Sequence, residues 1–255
     1  MIPPAMDRFG LFNTASHRLF STAIDQSFQV GVWLPFSYWE GDRHYPVLYV
    51  PDGEFGFGLA AGLIPTLIGT GDIPEIIVVG IAYDGIATWG EQAQLRERDL
   101  VPPGAHDRPE TSRCEQFSLF LREELLPFIE RIYRADSRDR ALFGFSAAGL
   151  FALHSLLSQP AMFRRYVAAS CTWPGADSYL LQRAQEYVLE REGMRLSMSI
   201  GSAEDELLPG FLALSKTFSR MQGLGFDRHV FEGERHGAGV LASAFVAGLR
   251  DVFRA

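Results

Sequence analysis

The sequence predicts an α/β protein whose mostly parallel central sheet is covered by helices on both faces. Short β-rich runs alternate with longer helical patterns along the chain. Residues 75–83 (EIIVVGIAY) are apolar and β-branched almost throughout, which suits a strand buried on both faces. Strands that alternate with helices favour a parallel sheet, in which ligands bind beyond the carboxyl ends of the strands. The informative residues are therefore those that directly follow each strand.

The elements can be assigned in chain order from hydrophobic periodicity and turn signals. Residues 18–24 and 28–34 are expected to form an opening strand pair, and residues 46–50 a third strand before a Pro-Asp-Gly turn. Residues 84–113 show no regular pattern, and we expect a long loop there. The other expected elements are an interrupted helix over 56–68, strands over 75–83, 140–145, 166–170, 194–200 and 228–232, and helices over 112–133, with a kink or break at Pro127, and over 147–157, 176–191, 207–221 and 240–253.

The bulk composition favours a single domain over residues 1–255. The length fits one large α/β domain or two small ones, but no internal repeat or low-complexity linker divides the chain. The formal net charge is −8 and the basic residues are not clustered, so we expect no nucleic-acid partner. The N-terminus lacks a signal-peptide pattern and the longest apolar stretch is too short to span a bilayer. We therefore expect a cytoplasmic protein with no membrane contact.

The sequence gives no sign of a metal ion or an organic cofactor. Cys114 and Cys171 lack the spacing of a zinc site, and we expect two free buried thiols rather than the alternative, one disulfide. The run GFGLAA at residues 56–61 matches a loose dinucleotide-binding pattern. It follows the third strand rather than the first, and five residues separate it from that strand's end, so we expect no nucleotide.

The most specific signal for chemistry is the run GFSAAG at residues 144–149. It follows a strand and opens a helix, which is the context of a nucleophile elbow with Ser146 at the turn. Ala148 occupies the position where G-x-S-x-G has its second glycine, and Gly149 comes next. The alternative for Ser146 is an ordinary helix N-cap.

A histidine and an acid follow later strands in the order that such a serine requires. A serine hydroxyl is a weak nucleophile and needs a base that is itself oriented by an acid. His236 lies in a short polar loop after the last expected strand, and a surface or helix-capping histidine is its alternative. The acid is expected after the preceding strand, where Glu204 is preferred and Asp205 is the alternative.

The oxyanion of a tetrahedral intermediate needs two backbone amides. The first is expected at Ala147, directly after the nucleophile. The second is expected from the loop after the third strand, at Gly53 or Glu54. The alternative for that loop is a plain turn.

With these residues in place, the chain resembles the "putative esterase" family of α/β hydrolases, which includes enterochelin and bacillibactin esterases, esterase D, feruloyl esterases and mycolyltransferases. The resemblance begins near Arg18. The segments that carry it are VLYVPDGEFGF (47–57), IIVVGIAY (76–83), RERDLVP (96–102), FGFSAAGLFALHSLL (143–157) and ASCTW (169–173). The departures from the family pattern are Phe145, Ala148 and Val101.

The resemblance implies the α/β-hydrolase fold and further substrate-contacting residues. In the siderophore-esterase-like members, arginines near the third of these segments help to hold the acyl or catecholate part of the substrate, a role that fits Arg96 or Arg98. The alternative is a structural salt bridge, for example to Asp99. Trp173 is a candidate pocket wall, with core packing as its alternative. Phe55 is a further candidate contact.

These observations predict a serine carboxylic-ester hydrolase that acts through an acyl-enzyme intermediate and needs no cofactor. The expected partner is a small-molecule ester, siderophore-like or another small acyl ester. One alternative is an acyltransferase that uses the same triad. Another is a catalytically silent binding protein on the same fold. The sequence carries no signal for the oligomeric state.

Overall fold

A computed structural model of the chain describes residues 10–105, 107–172, 175–187 and 193–254. The strands within these ranges are β1 (Thr14–Ser21), β2 (Gln26–Trp33), β3 (Tyr45–Pro51), β4 (Ile77–Tyr83), β5 (Ala135–Phe145), β6 (Arg165–Ala169), β7 (Met194–Gly201) and β8 (Leu224–Phe231). The α-helices are α1 (Gly53–Gly69), α2 (Trp89–Leu100), α3 (Cys114–Leu119), α4 (Leu126–Ile132), α5 (Ala147–Ser158), α6 (Ala176–Glu186), α7 (Leu208–Phe218) and α8 (Ala238–Phe253).

The strands form one sheet in the order β1-β2-β4-β3-β5-β6-β7-β8. β2 pairs antiparallel with β1 and with β4, whereas each pairing from β4 across to β8 is parallel. The carboxyl ends of the parallel strands therefore meet at one edge, and the loops that follow β3, β5, β7 and β8 converge there. The predicted mostly parallel sheet is confirmed.

Two apolar cores lie on opposite faces of the sheet. One packs α1 and α8 against the central strands, with Ile64 and Phe245 among its buried residues. The other packs residues of α2 to α7 against the opposite face, including Phe151 and Phe211. Helices on both faces explain why the central strands are nearly continuous apolar runs. In the described part of the chain, no helix has the length and apolar character needed to cross a bilayer.

The long loop predicted over residues 84–113 is wrong in its middle, because α2 occupies Trp89–Leu100. A capping box starts this helix: the Thr88 hydroxyl accepts the Glu91 amide at 3.2 Å, and the Glu91 carboxylate accepts the Thr88 amide at 3.2 Å. The buried residues of α2 include Gln92 and Asp99, so the helix lacks the apolar stripe by which periodicity detects helices.

The kink or break expected at Pro127 is a π-helical irregularity directly before that proline in a continuous helical run. A π-helical segment, Phe120–Leu125, separates α3 from α4, and Pro127 falls in the first turn of α4. Leu126 still donates its amide to the Leu121 carbonyl, and the wider π turn accommodates the amide that Pro127 lacks. By contrast, α1 runs unbroken from Gly53 through Pro65 and begins earlier than predicted.

Candidate active site

Ser146 stands on a sharp turn between β5 and α5. Its backbone has φ 60° and ψ −123°, a combination that costs energy for any residue except glycine. The Ser146 amide donates to the Ala169 carbonyl at 2.9 Å, which ties the turn to the end of β6. A side chain at Gly144 would collide with the Ala148 carbonyl, and a Cβ at Gly149 would lie 2.7 Å from the Ala169 oxygen. The positions at which neighbouring backbone leaves no room for a side chain are therefore Gly144 and Gly149. This explains why an alanine can occupy position 148.

His236 lies in the loop between β8 and α8, with its ring between a hydroxyl and a carboxylate. Its Nε2 is 3.1 Å from the Ser146 Oγ, and its Nδ1 is 2.7 Å from Oε2 of Glu204. The His236 side chain is 43% exposed whereas that of Glu204 is 1% exposed, so the carboxylate is dry and the imidazole faces the pocket. In this arrangement Nε2 can accept the serine proton while Nδ1–H stays bound to the acid.

The Glu204 carboxylate is held by three donors. Besides the His236 ring, the Ser170 hydroxyl and the Gly201 amide donate to Oε1 at 2.7 and 2.8 Å. Burial raises the pKa of Glu204, but the bonds from His236, Ser170 and Gly201 outweigh it, and the net pKa lies below its usual value. The neighbouring Asp205 is exposed. The acid that contacts the imidazole is thus Glu204 rather than Asp205.

Ser146 and His236 open into a cavity of about 470 Å³. Its walls are mostly apolar and aromatic, with one ion pair. The other lining residues are Val50, Pro51, Asp52, Phe55, Gly56, Trp89, Arg96, Phe143, Phe145, Gly237, Ala238 and Leu241. A cavity of this volume and character is typical of a site for a small organic ligand.

The two candidate arginines have different surroundings. Arg96 lines the cavity, and its Nε donates to Asp52 at 2.7 Å. Burial raises the Asp52 pKa, which the Arg96 charge opposes. Arg98 does not line this cavity, because its Nε and Nη2 bind the fully buried Asp99 at 2.6 and 2.9 Å. Both arginines therefore form ion pairs, but only Arg96 lines the serine cavity and remains the candidate for substrate contact.

Of the other predicted site residues, some lie at the serine cavity and others do not. Ala147 is the first residue of α5, so its amide has no acceptor within that helix. Gly53 and Glu54 line a second cavity, of about 550 Å³, rather than the cavity at Ser146. The Glu54 carboxylate accepts the Tyr83 amide at 2.6 Å, which directs it away from the serine. Phe55 lines the serine cavity, and Trp173 lies outside the described residues.

Sequence reasoning missed three residues of this site. Trp89, which is 70% exposed, packs against Phe55 at the cavity with ring centroids 5.2 Å apart. Phe145 lies over the His236 ring, with centroids 4.8 Å apart. Ser170 supports the acid. Phe145 is recognisable from its place beside the nucleophile, whereas Trp89 lies in the segment for which the sequence predicts a loop.

The described residues include no group of three or more His, Cys, Asp or Glu side chains that could hold a metal ion. Cys114 and Cys171 are both buried and free. Burial raises the pKa of the Cys171 thiol to about 12, so it stays protonated at neutral pH and is a poor nucleophile.

Comparison with known proteins agrees with this geometry. Residues 21–250 match the protein family described as "Putative esterase". The ferri-bacillibactin esterase BesA of Bacillus subtilis is 32% identical over 160 residues, which is 56% of this chain and 53%, about half, of that protein. The siderophore enterobactin esterase of Emericella nidulans is 29% identical over 235 residues, 81% of this chain and 75% of that protein.

Solved structures show the same fold. The BES protein of Bacillus cereus superposes with a TM-score of 0.83 at 24% identity, with full coverage of both chains. An IroE-like serine hydrolase from Shewanella oneidensis has a TM-score of 0.79 at 26% identity, covering 94% of this chain and 80% of that one. The family match over most of the chain, together with the sheet order and the serine turn, identifies the chain as a member of the "Putative esterase" family of α/β hydrolases.

Proposed function

We propose that the protein is a serine carboxylic-ester hydrolase with Ser146 as nucleophile, His236 as general base and Glu204 as the acid that orients it. The observation that carries this proposal is the continuous hydrogen-bond path from Ser146 Oγ through the imidazole to the buried carboxylate, at 3.1 and 2.7 Å. A serine held at a positive φ supports it, because strain of this kind persists at functional turns.

The reaction proceeds through an acyl-enzyme. Ser146 Oγ attacks the ester carbonyl while His236 Nε2 takes the hydroxyl proton, and the Nδ1–H bond to Glu204 stabilises the imidazolium that forms. The imidazolium returns the proton to the leaving alcohol as the C–O bond breaks. A water molecule, deprotonated by His236, then releases the acid and regenerates the serine. The Ala147 amide is the proposed first donor to the oxyanion. Gly53 or Glu54 is the proposed second: both line the neighbouring cavity, but Asp52 and Phe55 on either side of them line the serine cavity.

The proposed substrates are siderophore-like or other small acyl esters. Two curated relatives are named for siderophore ester hydrolysis, one on ferri-bacillibactin and one on enterobactin. The aromatic side chains of Phe55 and Trp89 at the serine cavity supply flat apolar surface for a planar or acyl group. Arg96 supplies N–H donors beside it, and Arg96→Ala is expected to raise KM more than it lowers kcat.

A p-nitrophenyl ester series from acetate to octanoate tests the proposal. Wild type should turn over at least one member and react with a fluorophosphonate probe, whereas Ser146→Ala should do neither. The control is Ser155→Ala on the same helix, because Ser155 is buried and lines no part of the cavity. Hydrolysis that persists in Ser146→Ala contradicts the proposed nucleophile.

The rival activities give different results in the same assay. An acyltransferase would form the acyl-enzyme in a burst and release it mainly when an alcohol acceptor is added. A silent binding protein would show no burst and no labelling. Catecholate lactones and thioesters extend the series if simple esters are not cleaved.

The proposal also includes a single domain over residues 1–255. It places the protein in the reducing cytoplasm, which suits the two free thiols.

A further inference from the structure

Phe145 is an apolar residue directly beside the proposed nucleophile. It is the last residue of β5 and lines the serine cavity. Its ring lies over that of His236, with centroids 4.8 Å apart and the planes inclined by 34°. The two hydrogen bonds of His236 run from its ring nitrogens, in the plane of the imidazole, so Phe145 contacts a face that neither bond uses.

A phenyl face near a cation stabilises it, because the π-system is negative above the ring. His236 is neutral before the serine is attacked and is an imidazolium in the transition state, so this attraction arises only as the proton moves. An interaction that is stronger in the transition state than in the ground state raises kcat. The His236 side chain is 43% exposed, so the contact with Phe145 does not remove the whole imidazole ring from water.

The charged groups around His236 do not replace the attraction between the Phe145 ring and the imidazolium. Glu204 binds Nδ1, and the Asp52–Arg96 ion pair lies across the same cavity. Glu234 and Arg235 belong to the loop of His236 itself and carry opposite charges. Since the Asp52 and Arg96 charges at the cavity offset each other, the phenyl face is a source of stabilisation for the imidazolium distinct from Glu204.

We propose that Phe145 is a positioning residue that favours the protonated form of His236 during acyl transfer. The proposal rests on the hydrolase function above. It also gives a physical role to a residue that departs from the family's elbow pattern.

The test compares variants of Phe145 in the pH dependence of ester hydrolysis. Phe145→Leu keeps an apolar side chain but removes the π face, whereas Phe145→Tyr keeps the face. We expect Phe145→Leu and Phe145→Ala to lower kcat about 2- to 5-fold and to move the acid limb of the pH–kcat profile about half a unit to lower pH. Phe145→Tyr should retain the wild-type limb. Thermal unfolding of each variant shows that it is folded.

A matched control is Phe231→Leu, because Phe231 stacks on His229 outside the serine cavity, with centroids 5.9 Å apart. It should leave the acid limb unchanged. An acid limb that moves to higher pH in Phe145→Ala and stays in place in Phe145→Leu would mean that Phe145 acts by excluding water, which overturns the proposal. A rise in KM with no movement of the limb overturns it as well. Wild type inactive on all esters would instead refute the hydrolase function.

Discussion

Replacement of Glu204 by glutamine isolates the tautomer that the acid imposes on His236. The Gln oxygen can still accept from Ser170 and Gly201, so the two bonds at 2.7 and 2.8 Å are retained and the fold is preserved. The Gln amide, however, donates to Nδ1 and moves the ring proton to Nε2. A protonated Nε2 cannot accept the proton of Ser146, 3.1 Å away.

We expect Glu204→Gln to lower kcat on the order of 10³- to 10⁴-fold, the loss that follows from the wrong tautomer in a serine triad. This corresponds to about 4–5.5 kcal/mol of transition-state stabilisation. Initial rates on the best p-nitrophenyl ester measure it, with the pre-steady-state burst reporting acylation separately. Asp205→Asn is the matched control, since it neutralises an adjacent but exposed carboxylate and should keep the wild-type rate. A Glu204→Gln rate within tenfold of wild type, combined with loss in Asp205→Asn, would refute the assignment.

Three further predictions concern stability. Gly144→Ala should lower the unfolding free energy by about 3 kcal/mol or more, because the new methyl group collides with backbone atoms. Gly62→Ala, in open space on α1, should raise it by about 0.5–1 kcal/mol. Urea unfolding of the two variants measures both effects. Arg98→Met should cost about 3 kcal/mol by removing the bidentate cation from the buried Asp99, and an unchanged melting temperature would contradict this. The pKa of Glu204 is lower in the folded protein than its unfolded value of about 4.3, so the ionised carboxylate stabilises the fold above that pH. This stabilisation is lost as the pH falls through the folded pKa. The difference in melting temperature between wild type and Glu204→Gln should therefore narrow below about pH 4.

The sheet and the serine turn could be predicted from sequence because their signals are local. Buried parallel strands appear as continuous apolar runs, and the GFSAAG run shows both the tight turn and the start of α5. The positions of Ser146, Glu204 and His236 follow from chain order, since each lies in the segment between a strand and the next helix. Parallel topology then brings strand ends together, as the hydrogen-bond path shows.

The pocket wall could not be predicted in the same way. Trp89 begins a helix whose inward side carries Gln92 and Asp99, and no periodic pattern reveals such a helix. The difference between Arg96 and Arg98 depends on which carboxylate each one meets, and Asp52 is 44 residues distant from Arg96. Contacts of that range are set by the packing of α2 over the sheet edge, which no local pattern encodes.

Two consecutive residues at the end of β6 span the proposed triad. The Ala169 carbonyl binds the Ser146 amide, and the Ser170 hydroxyl, on a residue with φ 46°, binds Glu204. One dipeptide, at the point where a central strand ends, thus sets the spacing between nucleophile and acid. Loops at the cavity mouth can lengthen, shorten or exchange without resetting that spacing. The proposed reaction centre is thus held by the sheet, apart from the segments that form the cavity rim.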